Sequence, residues 1–171
     1  DIADIVDLEG LIGMEIMNYG CEVEWKCGNA EVFFDQFWWN NNNMWCFATD
    51  DGHGALYAYC GGYIVVKTDD FTHRGIIEAI SEGSFYAAFS QKGQEAPHII
   101  DFIVEDGVAK LSCSPSRNIY IYTPRGFRSY HAEDGKPLTY AEYKLPDKAS
   151  YVKAICVDFA GNTSWCQPIR L

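Results

Sequence analysis

Apolar positions along the chain change rhythm once. Up to about residue 97, short apolar runs alternate with segments of helical period. "LIGMEIMN" (11–18) reads as a strand leaving a glycine-marked turn. "AEVFFDQFWWN" (30–40) carries apolar residues at 32, 33, 34, 37, 38 and 39, a wide helical face that the asparagine run 40–43 ends. "MWCFATD" follows as a strand, apolar almost throughout, as expected of a strand buried on both faces. "GGYIVVKTD" is a further β-branched strand. In "FTHRGIIEAISEG", Thr72 is placed to cap a helix with apolar positions at 76, 77, 79 and 80, and Gly83 to stop it. Strand, helix, strand, strand, helix is the grammar of an α/β layer or barrel. The stretch is too short for a whole (β/α) barrel, which needs roughly 200 residues or more.

Beyond residue 97 the period is two. "IIDFIVEDGVAKLSCS" predicts two strands about an Asp106-Gly107 turn, with Ile100, Phe102 and Val104 on one face. "NIYIYTP", "FRSYHAE", "LTYAEYKL", "YVKAICVD" and "TSWCQPIRL" continue the series, separated by Pro, Gly, Asp and Asn breaks. The expectation is an α/β portion over 1–97 and a small antiparallel β-sandwich over 98–171. Ile100, Phe102, Val104, Leu111, Ile119, Ile121, Ile155, Val157 and Trp165 are the expected sandwich core.

Composition narrows the classes of function. The chain of 171 residues is 48% hydrophobic and 15% aromatic, enough for packed cores. Its formal charge is −11, from 24 acidic residues against 13 Lys and Arg, which argues against a role coating nucleic acid or binding anionic lipid. No run approaches the ~20 apolar residues of a membrane span. No signal-peptide pattern opens the chain, and the start "DIADIVDLEG" reads as entry partway along a longer protein. Seven cysteines, an odd number without a C-x-x-C pair, sit mostly in apolar runs, which fits a reducing compartment such as the cytoplasm.

The candidate chemistry lies in "FATDDGHG" (47–54). Asp51 and His53 follow a strand with one residue between them, so both can reach the same side of the departing chain. In parallel α/β architectures ligands bind at the carboxyl ends of strands. A carboxylate oxygen and an imidazole nitrogen form a mixed donor set suited to Zn, Mn or Fe. Gly52 and Gly54 are expected to keep the site uncrowded. The residues alone also fit a solvated turn in which Asp50 or Asp51 caps the backbone. Glu15, near the end of its strand, is a candidate orienting carboxylate or base beside that site, with Asn18 three residues on as a second candidate; Glu15 equally fits a carboxylate satisfied by backbone amides. His73, His98 and His131 stand outside ligand-like settings.

In "GMEIMN", "FATDDGHG", "GGYIVVKTDDFTHRGIIEAISEGSFYA" and "YVKAICVDFAGNTSWCQPIRL", the chain resembles the C-terminal part of PHP-domain metal-dependent phosphoesterases. The likeness is to the branch with a β-rich tail, which includes carbaryl-hydrolase-like metallohydrolases. It implies the end of a distorted (β/α)7 barrel bearing a multi-metal cluster, with the family's last ligand motif falling on Asp51 and His53. The family's earlier ligands, an H-x-H motif among them, lie on strands preceding this sequence. The resemblance therefore implies divalent ions (Mn, Zn or Fe), a small phosphoester or ester substrate, and a missing N-terminal part of the barrel as structural partner. The chain by itself is expected to be inactive. The alternative is a non-catalytic carbohydrate- or protein-binding sandwich, for which "GNTSWCQP" and Tyr120, Tyr122, Tyr140 and Tyr143 would supply the face.

Overall fold

The computed structural model describes residues 3, 5, 7–40, 43–54 and 59–171. It is mostly β-structure with three short helices, and divides into two units, residues 1–92 and 93–171. Asn41 and Asn42 of the asparagine run lie outside the described residues. Among the described residues no helix is long and apolar enough to cross a membrane.

In the first unit, β1 (Gly13–Asn18) pairs in parallel with β2 (Trp45–Thr49), Glu15 opposite Phe47 and Asn18 opposite Thr49. Parallel neighbours need a crossover, here made by α1 (Tyr19–Trp25) and α2 (Glu31–Trp39). Helix α1 is absent from the sequence expectation. It starts directly at the end of β1, where Asn18 Oδ1 accepts the Cys21 N–H at 2.8 Å as its N-cap. Its seven residues are too few for a periodic signal, and the cap is also the last residue of a strand. The chain then returns along β1, Asn18 N–H donating to the Gly28 carbonyl and Ala30 N–H to that of Ile16. Gly28 is required there, since a Cβ would stand 2.1 Å from the Asn18 carbonyl oxygen.

Helix α2 buries Phe34, Phe37 and Trp38, and Trp38 Nε1–H donates to the Met44 carbonyl at 2.9 Å. Val32, Phe33 and Trp39 stay exposed on its other side, so the wide apolar face expected from the sequence is only partly used. Strand β2 also departs from expectation. Cys46 and Ala48 are buried, while Trp45, Phe47 and Thr49 are only half-buried. An antiparallel hairpin of β3 (Gly62–Val66) and β4 (Phe85–Phe89) completes the unit, with α3 (His73–Ser81) between the strands. Thr72 Oγ1 caps α3 by accepting the Gly75 N–H at 3.1 Å, and Gly83 at φ +76° ends the segment.

The second unit holds two antiparallel sheets. One runs β5 (Ile99–Glu105), β6 (Val108–Ser116), β9 (Leu138–Lys144). In the other, β10 (Tyr151–Val157) lies between β7 (Asn118–Thr123) and β11 (Thr163–Cys166); β8 (Gly126–His131) pairs β7, and β12 (Ile169–Arg170) pairs β10. Asp106 and Gly107, both at positive φ, form the β5–β6 turn. Their shared core contains Leu111 and Cys113 of β6, Ala141 of β9, Ile119 and Ile121 of β7, and Val152, Ala154 and Cys156 of β10.

Four expected core positions are corrected. A register shift between Ile99 and Asp101 turns Ile99 to the core and leaves Ile100 63% exposed. In β10, residues 152, 154 and 156 face the core, not Ile155 and Val157. Tyr151–Cys156 are all buried, and a strand apolar on both sides carries no alternation from which to read its parity. Trp165 is buried, but Cys166 is the β11 residue in the shared core. Residues 94–97 belong with this unit through hydrogen bonds: Asn162 Nδ2 donates to Gln94 Oε1 at 2.8 Å, and Ser164 Oγ–H to the Pro97 carbonyl at 2.6 Å.

Candidate metal centre

The carboxyl ends of β1 and β2 lie side by side because the two strands are parallel, and a register shift between Glu15 and Met17 sets Glu15 opposite Phe47 and Asn18 opposite Thr49. Glu15, Asn18, Thr49, Asp51 and His53 meet at this edge. Thr49 Oγ1–H donates to Glu15 Oε1 across the strands. Asn18 Nδ2 donates to Glu15 Oε2 at 3.2 Å and to Asp51 Oδ2 at 3.1 Å. His53 Nδ1 lies 2.7 Å from the Asp51 carbonyl oxygen and 3.4 Å from Asp51 Oδ1.

The two aspartates divide the alternatives that the sequence left open. Asp50 is the backbone cap: Oδ2 accepts the Cys60 N–H at 2.6 Å, and Oδ1 those of Gly61 and Gly62 at 2.8 Å each. Asp51 turns the other way, at φ +50°, with its carboxylate 43% exposed. Gly20 N–H donates to the Asp50 carbonyl at 3.1 Å, which ties the start of α1 to the end of β2. Gly54 serves the backbone rather than clearing space. It adopts φ +94°, and a Cβ there would meet nothing within 4 Å.

A carbonyl only accepts, so this contact makes Nδ1 the donor, and in the neutral ring Nε2 would then carry the lone pair. That is the tautomer of a histidine prepared to bind a metal through Nε2. The imidazole is 83% exposed. Yet it is Nδ1, not Nε2, that approaches the Asp51 carboxylate. Among the described residues, no three His, Cys, Asp or Glu side chains form a group able to hold a metal ion. Asp51 and His53 are two donors, fewer than a catalytic metal site takes from its protein. They supply one imidazole lone pair and one exposed carboxylate, with most coordination positions left to other groups.

The sequence missed Thr49, whose only signal was its register opposite Asn18 in the parallel pair. It also missed Cys21, just inside α1, whose thiol pKa is raised by partial burial and then by Cys27, Asp51, Glu15 and Glu24. The remaining histidines lie elsewhere. His73 opens α3, His98 Nε2 is 3.3 Å from Glu95 Oε2, and His131 Nδ1 is 3.0 Å from Asn118 Oδ1. A recess of about 510 Å³ along Val32, Gln36 and Trp39 of α2 does not include these site residues.

No protein-family model, curated protein or solved structure matches the chain.

Proposed function

We propose that the chain is the C-terminal part of a metal-dependent hydrolase of the PHP phosphoesterase type. In this reading β1 and β2 belong to a distorted (β/α)7 barrel, and Asp51 and His53 contribute its last ligand motif. The observation that carries the proposal is the meeting of Glu15, Asn18, Thr49, Asp51 and His53 at the carboxyl ends of two parallel strands. Parallel α/β proteins place their chemistry at this edge, and His53 presents a bare Nε2 there. Divalent Mn, Zn or Fe would supply Lewis acidity and an activated water in the intact protein, with the other ligands coming from preceding strands. The substrate is a small phosphoester or ester. The chain alone is inactive, because two ligands bind a transition metal weakly.

Manganese- and zinc-dependent turnover of a simple phosphodiester tests this on the 171-residue chain and on a longer polypeptide carrying the preceding segment. The expected result is no turnover by the chain, turnover by the longer form, and a loss of about 100-fold or more in its Asp51→Asn and His53→Ala variants, at or beyond the upper end for residues supporting ligands. Robust activity of the chain alone, abolished by His53→Ala, would mean that it holds a complete site. A longer form indifferent to both substitutions would remove the reading.

One observation favours a second, non-catalytic reading. On the β7–β8 surface Tyr120 and Tyr122 have ring centroids 6.1 Å apart, Tyr122 and Phe127 5.9 Å, and Lys153 Nζ lies 5.5 Å from the Tyr122 centroid. Such a row suits a carbohydrate or protein ligand. "GNTSWCQP" contributes little to it, since Asn162 and residues 164–168 are buried, and Tyr143 packs against the shared core. Polysaccharide binding lost in Tyr122→Ala and kept in His53→Ala would support this reading over the first.

A further inference from the structure

We infer that Asn18 is a positioning residue of this site, its side-chain amide holding Glu15 and Asp51 in one fixed arrangement; the inference rests on the hydrolase reading above. The amide group has two N–H donors and one carbonyl acceptor, and all are engaged. Nδ2 donates to Glu15 at 3.2 Å and to Asp51 at 3.1 Å, while Oδ1 accepts the Cys21 N–H at 2.8 Å.

Its neighbours extend the connection. Thr49 holds the second oxygen of Glu15, and the second oxygen of Asp51 faces His53 Nδ1 at 3.4 Å. A continuous path therefore runs Thr49, Glu15, Asn18, Asp51, His53, and among the described residues Asn18 is the link between Glu15 of β1 and Asp51 just beyond β2. Two anionic groups brought to one amide repel each other unless a donor stands between them. The amide supplies that donor without adding charge. Aspartate at 18 would add a third carboxylate, and serine has one hydroxyl and too short a reach to serve both. Without the amide, Asp51 turns away from Glu15 and the loop carrying His53 loses its fixed direction.

Asn18 is also the N-cap of α1, so a purely structural role has to be separated from positioning. Serine and aspartate are good N-caps, and Asn18→Ser and Asn18→Asp keep that role while removing the shared amide. The first measurement uses the 171-residue chain labelled with 15N. Glu15→Gln is expected to shift mainly one of the two Asn18 side-chain amide protons, and Asp51→Asn mainly the other. Amide protons unmoved by both would overturn the bridge.

The second measurement is hydrolysis of the same phosphodiester by the longer polypeptide. Asn18→Ser and Asn18→Asp are expected to lower kcat by about 10–100-fold, with KM little changed and the thermal midpoint near that of the parent. Parental kcat in Asn18→Ser would overturn the positioning role. If Asn18→Ser does not fold, Asn18→Asp and the amide spectrum still decide. Should Asp51→Asn and His53→Ala both leave hydrolysis intact, the reading of this edge as the hydrolase site fails, while the amide spectrum separately decides whether the bridge exists.

Discussion

Asp50 and Asp51 are neighbours in sequence with opposite duties. Asp50 saturates its oxygens with three backbone N–H groups of residues 60–62, whereas Asp51, in the left-handed region, keeps its carboxylate for Asn18 and His53. No composition rule separates two adjacent aspartates; the deciding fact is where the chain returns at residues 60–62. Accessibility sorts the seven cysteines in the same way. Cys27 and Cys60 are exposed, Cys21 is half-buried, and Cys46, Cys113, Cys156 and Cys166 are buried. Hydrogen bonding with Cys156 and Ser116 lowers the Cys113 thiol to about 7, against the effect of burial, while Cys156 is pushed up by its bond to Cys113 and by burial. Acidity without access gives no reactivity. A chromogenic disulfide reagent at pH 8 should therefore modify Cys27 and Cys60 at once. Cys21 should lag, its thiol held protonated by partial burial, Cys27 and the nearby carboxylates. The four buried thiols should react only after unfolding. Mass mapping of the labelled sites checks this, and rapid labelling of Cys113 would show that the second unit opens around it.

Elements were legible where one physical cue dominated. Thr72 and Gly83 bracket α3 because a cap side chain and a positive-φ residue are written directly in the sequence. The Asp106-Gly107 turn was legible for the same reason. Helix α1 was not, since its cap doubles as the end of β1 and its length gives no period. Parity in β10 was hidden by burial of both its faces, and in β5 by the register shift after Ile99. At the site, Asp51 and His53 were legible from their spacing, but the Asn18 link depended on the parallel register of β1 and β2, which no local pattern records. The β5–β6 pair offers a direct energetic check. Leu111 is fully buried in the shared core, whereas Ile100, only one residue from the inward-facing Ile99, lies largely in solvent. Leu111→Ala should cost about 2–5 kcal/mol in urea unfolding. Ile100→Ala should cost no more than about 0.5 kcal/mol, the range of ordinary surface changes. Comparable losses at both positions would mean that Ile100 packs inward and that the shift is misplaced.

At the scale of the whole molecule the charge is decisive. A formal net charge of −11 and a sequence pI near 4.6 surround every potential site with a negative field. The cations do little to offset it locally. Arg74 pairs with Glu78 at 2.6 Å and Lys110 with Glu105 at 2.8 Å, and Lys153 is buried against an aromatic ring. A polyanion therefore meets net repulsion, with 13 Lys and Arg set against 24 acidic residues to release its counterions. A small anionic ester gains nothing from such a surface, so its attraction has to come from a local positive centre, the role that a divalent ion fills in the proposed function. The measurable consequence concerns the chain without added metal. It should pass unretained through heparin at about 0.1 M salt, where charges act over only ~10 Å, and should shift no short DNA duplex in a gel. It should bind an anion exchanger firmly at pH 7 and be least soluble near pH 4.6. Salt-sensitive retention on heparin is the opposing outcome. It would place a basic face among the 13 cations and bring a nucleic acid or a sulfated glycan back among the ligands.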